Sequence, residues 1–332
     1  MKEKTVTLAD IARELGVSKN AVSLALRGKD GVSDAMRERI IAKAREMQYH
    51  GLNKTQGVIL ALIPQRLASS ESMFYHQLCF DMEAHASALG YQLIISSVSE
   101  IDESLCRPPV LLDTVNCMGI ITVGNLSRAY CDMIYGLGMH YVMVDQYYDD
   151  VPVESVTTTN TSGAYLMTKH LIEHGHKSIQ FLGNSFRTSS QEERWIGYTR
   201  AMKTYNLPVL ENSLIFARGL YWEGYEHIVE ALDSMKELPT AFVCGHDMTA
   251  KHLICEFAKR GLRCPEDFSV VGFDNIQSLE VADLHLTTYA TPKTAIAHAA
   301  IELLQSTENR GPKRIQIFGE PIYRSSVKNI LA

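Results

Sequence analysis

A set of hydrogen-bonding side chains crowds one short stretch near the amino terminus: Thr7, Ser18, Lys19, Asn20, Ser23 and Arg27, with Leu24 among them. These types can read DNA. A lysine donates to N7 and O6 of guanine, an asparagine pairs bidentately with adenine, and a leucine can do no more than touch a thymine methyl. Two other groupings have a chemical look. His170 and His174 stand four residues apart around Glu173, with His176 close by. Gly175 ends that helix, and no second carboxylate or thiol completes a metal set, so histidines near a helix dipole are the better reading. Ser325-Ser326-Val327-Lys328 contains a Ser-x-x-Lys without its partner motifs. No glycine-rich phosphate loop appears. The chain is therefore expected to be no enzyme and to need no metal or cofactor.

The DNA-reading residues are only as good as the element that presents them. Leu8, Ile11, Ala12 and Leu15 recur at helical spacing, and Gly16 stops that helix. Ser18 is placed to cap a second helix whose inner face is Ala21, Val22, Ala25 and Leu26. Two short helices across so tight a turn make a helix-turn-helix, with Lys19 and Asn20 at the end that enters the major groove. Ser33 can cap a third helix, 34–48, with Met36, Ile40, Ala44 and Met47 inward and Arg37, Arg39, Lys43 and Arg45 outward. Residues 1–50 thus form a three-helix head, and 51–57 a short polar linker bracketed by glycines.

Beyond the linker the pattern changes. Val58–Pro64 is a continuous apolar run, as in a strand buried on both faces of a parallel sheet. Alternation follows: helix 74–89, strand 91–96, a loop with Pro108-Pro109, strand 119–123, helix 129–137, strand 141–144. It then repeats with helix 162–174, strand 178–182, helix 192–205, a strand near 213–216, helix 222–235, strand 241–244, helix 248–260 and strand 269–273. A last helix, 293–304, precedes strand 314–318 and the tail 320–332. This rhythm predicts an α/β body, 58–332, with doubly wound parallel sheets in two lobes. The first lobe takes about 58–158 and 290–318, the second about 159–289 and 319–332. A ligand of such a body sits beyond the carboxyl ends of the strands, in the cleft between the lobes.

Composition agrees. Of 332 residues 46% are hydrophobic and 21% charged, which describes a globular protein. Residues 1–57 hold eleven Lys or Arg against seven Asp or Glu, a balance of +4; the total of −6 leaves −10 for the rest. Only the head should meet phosphate. Seven scattered cysteines without a Cys-x-x-Cys pair suggest reduced thiols, with no disulfide and no structural zinc. No signal peptide and no apolar run of ~18 residues is evident, so no membrane is expected and a cytoplasmic location is.

By these features the chain resembles the lactose/galactose repressor (LacI/GalR) family over nearly its whole length. The matching residues are Val6-Thr7-Leu8, Gly16-Val17-Ser18 and Val22-Ser23 in the head, then Phe74-Tyr75, Val144-Asp145, His170-Leu171-Ile172 with Gly175-His176, and Arg194 with Gly197-Tyr198. Pro265–Asp274, Leu286-Thr287-Thr288 and Arg324-Ser325-Ser326 continue the series. The resemblance implies a homodimeric transcriptional regulator, a repressor, whose body is similar to periplasmic binding proteins and binds a small effector, usually a sugar, that alters affinity for a double-stranded operator. It also implies that Asp145, Arg194 and Asp274 reach into the cleft and hydrogen-bond the effector's hydroxyls. Tyr75 or Phe74 can stack on a sugar face, and Trp222 is a similar candidate, although the spacing before Gly224 departs from the family pattern.

Three further departures bear on the effector: His246 stands where the family often has Asn, Gln146 where Arg commonly follows Asp145, and Thr291 where a longer polar residue is usual. His246 and Thr291 join the candidate effector contacts. The linker is also short. Leu52–Gln56 offers about one and a half turns, at ~3.6 residues each, too little for the family's hinge helix. The alternative is a small-ligand-binding module whose DNA binding is weak because of that shortened hinge.

Overall fold

The computed structural model describes residues 6–26, 29–47, 49, 56–68, 73–183, 188–210, 229, 232, 233, 235, 237–276, 284–306 and 311–331. The chain divides into two units, Met1–Gln56 and Gly57–Ala332. In the first, α1 (Leu8–Leu15), α2 (Lys19–Leu26) and α3 (Asp34–Glu46) surround a core of Ile11, Ala12, Val22, Ala25, Ile40 and Ala44. Gly16 closes α1 with φ 66°, the left-handed conformation that a glycine adopts without a Cβ penalty. Ser18 Oγ accepts the backbone N–H of Ala21, capping α2 as its position suggested.

Two details of the head differ from expectation. Ser33 occupies the N-cap position of α3 but its side chain makes no capping hydrogen bond. Arg37 is not on the wet side: it is half-buried, and its guanidinium donates to the carbonyls of Ala25 (3.2 Å) and Lys29 (2.8 Å). Ala25 is in the last turn of α2, where carbonyls lack helical partners, and Lys29 lies three residues past its end, so the arginine closes the end of the helix. The shortened hinge and the role of Leu52 concern residues 50–55, outside those described.

The second unit carries two sheets. The first is ordered β10-β5-β4-β3-β1-β2, all parallel, from β1 (Val58–Pro64), β2 (Gln92–Val98), β3 (Cys117–Val123), β4 (His140–Val144), β5 (Glu154–Thr158) and β10 (Arg314–Ile317). Helices α4 (Met73–Ala88), α5 (Glu100–Ser104), α6 (Leu111–Thr114) and α7 (Arg128–Gly136) connect its strands. The second sheet, β11-β9-β8-β7-β6, comprises β6 (Ile179–Leu182), β7 (Ala241–Cys244), β8 (Ser269–Phe273), β9 (Thr287–Ala290) and β11 (Glu320–Ile322). Around it lie α8 (Asn160–Glu173), α9 (Ser189–Thr204) and α10 (Asp247–Lys259), while α11 (Lys293–Gln305) packs on α4.

The doubly wound body is as expected, with one correction: β11 pairs antiparallel to β9. Sequence pattern also missed β5 and β9. Their residues are mostly Ser and Thr, yet Ser155, Thr157, Thr158, Thr287 and Thr288 are completely buried. A search for apolar runs passes over such strands, because here backbone pairing rather than side-chain hydrophobicity holds them inside. The loop around Pro108-Pro109 is flanked by α5 and α6, too short to show a helical period. The strand near 213–216 and most of the helix 222–235 lie outside the described residues.

Candidate effector site and DNA-reading head

In the head, Lys19 and Asn20 are exposed in the first turn of α2, with Leu24 and Ser23 half-buried one turn on. Thr7 has another occupation: its hydroxyl donates to Asp10 Oδ2 (2.6 Å) and accepts the Asp10 N–H, while the Thr7 N–H donates to Asp10 Oδ2 (2.9 Å). This reciprocal capping box fixes the start of α1. Arg27 lies outside the described residues.

In the body, two aspartates occupy equivalent places. Asp145 directly follows β4 and Asp274 directly follows β8, both with positive φ (64° and 103°). Aspartate tolerates that region better than most residues, and each is held there by its own N–H, Asp145 to Val156 O (3.0 Å) and Asp274 to Tyr289 O (2.8 Å). The turn thus imposed ends each strand at its carboxyl edge, where ligands of open α/β sheets bind.

Arg194, on α9, is 4% exposed. Its Nε donates to Asn160 Oδ1 (2.8 Å), Nη1 to Gly245 O (2.6 Å) and Nη2 to Asp274 Oδ1 (3.3 Å), and its Cζ lies 3.8 Å from the centre of the Phe273 ring. Asp274 also accepts from Thr291 Oγ1 (3.1 Å), and its carbonyl accepts from Lys293 Nζ (2.8 Å). Asp145 Oδ2 accepts the Tyr75 hydroxyl (2.9 Å), while Ser190 Oγ donates to the Asp145 carbonyl (2.7 Å). Tyr75 is half-buried and meets Phe74 edge to face. Phe74 faces the core of the first lobe, which leaves Tyr75 as the aromatic next to the carboxylates.

Burial dominates the electrostatics. It raises the Asp145 carboxyl to about 6, with Arg194 opposing and Asp274 adding to the rise. Asp247, in the first turn of α10, goes to about 7 for the same reason with Asp274 assisting, although Thr288 Oγ1 (2.7 Å) and the Ile276 N–H (2.8 Å) both donate to it. Burial and the nearby Arg194 cation hold His246 well below its ordinary range, so its imidazole is neutral. Its Nδ1 accepts the Thr249 N–H (3.1 Å) and caps α10. The Tyr75 phenol is pushed well up, first by burial and then by Asp145.

The structure thus brings together two hydrogen-bonded groups, Tyr75 with Asp145 and Arg194 with Asp274 and Thr291, near enough for the charges of Arg194 and Asp274 to act on Asp145, with His246 next to Gly245, whose carbonyl Arg194 binds. Trp222 lies outside the described residues. Sequence reading missed Asn160, Ser190, Gln191 and Glu193, of which only the polar start of α9 gave any sign. The histidines at the end of α8 have structural partners: His176 meets Thr240 Oγ1 and Lys328 O, and the His170 ring stacks on Tyr323. Among the described residues no group of three or more His, Cys, Asp or Glu comes together to hold a metal. No described helix is long and apolar enough to cross a membrane.

A helix-turn-helix head and a two-sheet body with buried polar side chains at the carboxyl ends of its strands are the parts of a ligand-responsive DNA-binding regulator. Residues 7–51 match the model of bacterial regulatory proteins of the lacI family, and residues 168–327 match that of the periplasmic binding protein-like domain. The chain thus resembles lacI-family regulators, matching one model in its head and the other in its body. It is similar to the HTH-type transcriptional repressor PurR of Vibrio vulnificus (strain CMCP6), 28% identical over 98% of this chain and 99% of that one. Its fold is similar to that of a transcriptional regulator CelR–cellobiose complex (TM-score 0.71, 23% identity, 97% of this chain and 99% of that chain). A lac repressor dimer bound to operator and the anti-inducer ONPF also aligns (TM-score 0.69, 21% identity, 98% and 100%).

Proposed function

We propose that this protein is a transcriptional repressor that binds a two-fold operator as a homodimer and changes its operator affinity when a sugar or sugar derivative enters the cleft. In this reading residues 1–50 are the DNA-binding domain, 51–57 the linker and 58–332 the effector-binding and dimerisation domain. The observation that carries it is the convergence of Asp145, Arg194 and Asp274, two fixed acceptors and a forked donor at the carboxyl ends of both sheets. Such a set gives a polyol several directional bonds, and a sugar lacking one hydroxyl would leave a buried group unpaired. Tyr75 supplies a ring face for the sugar's C–H surface. Lys19 and Asn20 read bases; Ser18, Ser23, Leu24, Arg27 and Thr7 support the docking.

Dimerisation is supported by apolar side chains left in water on the first lobe. Phe80 on α4 is 68% exposed, and Ile101 on α5, Leu105 just after it and Ile95 on the edge strand β2 are exposed as well. Exposed apolar side chains of this kind suit burial against a second copy.

Selection of bound duplexes from a random pool, at defined salt, tests the reading. A palindrome with fixed half-site spacing is expected, and that duplex should then be released or retained more tightly on adding sugars from a panel that includes cellobiose. Salt-sensitive retention with no enriched sequence would overturn the repressor reading. A response to nucleobases but to no sugar would overturn the effector class.

A further inference from the structure

The first turns of α9 carry more than Arg194. Glu193, its neighbour, is half-buried and accepts three hydrogen bonds: from the Tyr147 hydroxyl (2.8 Å) and Gln316 Nε2 (2.9 Å) on Oε1, and from Asn160 Nδ2 (2.9 Å) on Oε2. Tyr147 lies in the loop after β4 and Gln316 on β10, so both are carried by the first sheet, whereas α9 follows β6 of the second. Glu193 therefore spans the seam between the lobes. Its other oxygen leads inward. Asn160 is fully buried, and its amide is clamped between a carboxylate, which can only accept, and the Arg194 Nε–H, which can only donate. The orientation of that amide is thus fixed by its two neighbours. The sequence of bonds runs Tyr147–Glu193–Asn160–Arg194–Asp274 without a gap.

The same helix start docks twice more on the first lobe: the Tyr147 N–H donates to Ser189 Oγ (3.0 Å) and Ser190 Oγ donates to the Asp145 carbonyl. Tyr147 is itself held by Arg314, whose Cζ lies 3.7 Å from its ring centre while Nη1 donates to Asp149 (2.9 Å).

We infer that Glu193 is a positioning residue for Arg194, tying the guanidinium in the cleft to the Tyr147 seam through Asn160, so that the state of the seam and the placement of the arginine change together. Loss of the Tyr147 bond leaves Gln316 alone on Glu193 Oε1, so the carboxylate is held less firmly, Asn160 Nδ2 shifts towards its longer contact with Thr158 O (3.3 Å), and the Arg194 Nε–H has a less fixed partner. The inference rests on Arg194 being an effector contact, as proposed above.

The test uses the full chain labelled with 15N-arginine, without effector or DNA. The Arg194 Nε–H resonance is assigned by its disappearance in Arg194→Lys, and its exchange with solvent is measured. In Tyr147→Phe, which removes one hydroxyl that never touches Arg194, exchange should quicken by roughly tenfold or more, a local opening rather than a global one. Glu193→Gln should also quicken it. Tyr148→Phe, in the same loop as Tyr147, is the control: its hydroxyl donates to Leu126 O and lies off the relay, so the Arg194 signal should not move. An unchanged Arg194 signal in Tyr147→Phe, or an equal response in Tyr148→Phe, would overturn the inference. Either result leaves the repressor reading standing, since neither operator nor effector is in the tube.

Discussion

Arg194 Nη2 stands 3.3 Å from Asp274 Oδ1, with both side chains almost shut off from water. The pair joins α9 to the turn after β8, and Thr291 and Lys293 complete the donors around Asp274. Removing one member of such a pair leaves the other charge buried without compensation, a loss on the order of 3–5 kcal/mol. Arg194→Ala is accordingly expected to lower the urea midpoint of the body and to abolish the effector response. A denaturation curve and an operator-release assay check the two halves. Retained response would remove Arg194 from the effector site.

Asp247 gives a pH dependence with a definite sign. Its folded carboxyl is raised to about 7 from 3.8, so between those values the folded protein holds a proton that the unfolded chain has lost. Stability from this group is therefore greatest in acid and declines as pH rises through that window. His246, whose pKa is lowered, acts the other way, losing stability as pH falls. Comparison with Asp247→Asn cancels the histidine: the stability of wild type relative to the variant should fall between about pH 5 and about pH 8. Denaturant melts at both values measure it, and a constant difference would contradict the raised carboxyl.

Gly197 lets α9 lie against α8. A Cβ there would strike Thr161 O and come within 2.9 Å of Ala164 Cβ. Backbone cannot yield as a flexible side chain does, so Gly197→Ala should cost about 1–3 kcal/mol in urea unfolding. Gly136, at the end of α7, has nothing within 4 Å of its added Cβ. Gly136→Ala should be neutral or stabilising by up to about 1 kcal/mol, by helix propensity.

In the head, Lys19 and Thr7 should separate cleanly. Lys19→Ala is expected to relax sequence preference at one base pair with a loss on the order of 1–3 kcal/mol, read by competition binding among operator variants. Thr7→Ala removes a capping box instead, and should lower the head's melting temperature through a loss of about 1 kcal/mol while leaving sequence preference alone. Uniform weakening across all sequences for Lys19→Ala would make it a phosphate contact.

The helix-turn-helix was legible because everything that builds it is local. Periodicity within eight-residue helices, a glycine able to take φ 66° and a serine hydroxyl three residues from its N–H all lie within a few residues of one another. The buried strands of both sheets were legible wherever they were apolar, as in Val58–Pro64 and Ser269–Phe273. Asp145, Arg194 and Asp274 were singled out through the family resemblance, not through any spacing of their own.

What the sequence by itself determined, then, was the two-part plan: a basic three-helix head and an acidic α/β body, each declared by short-range pattern. Tertiary structure alone decided which polar residues lie inside. Arg37 turned inward to close the end of α2, the Ser- and Thr-rich strands β5 and β9 went to the interior, and Asn160 met Arg194 and Glu193 across 34 and 33 positions of chain respectively. A polar residue is recognisable as interior only by the partner that satisfies it, and that partner is supplied by another element at a distance no local pattern records.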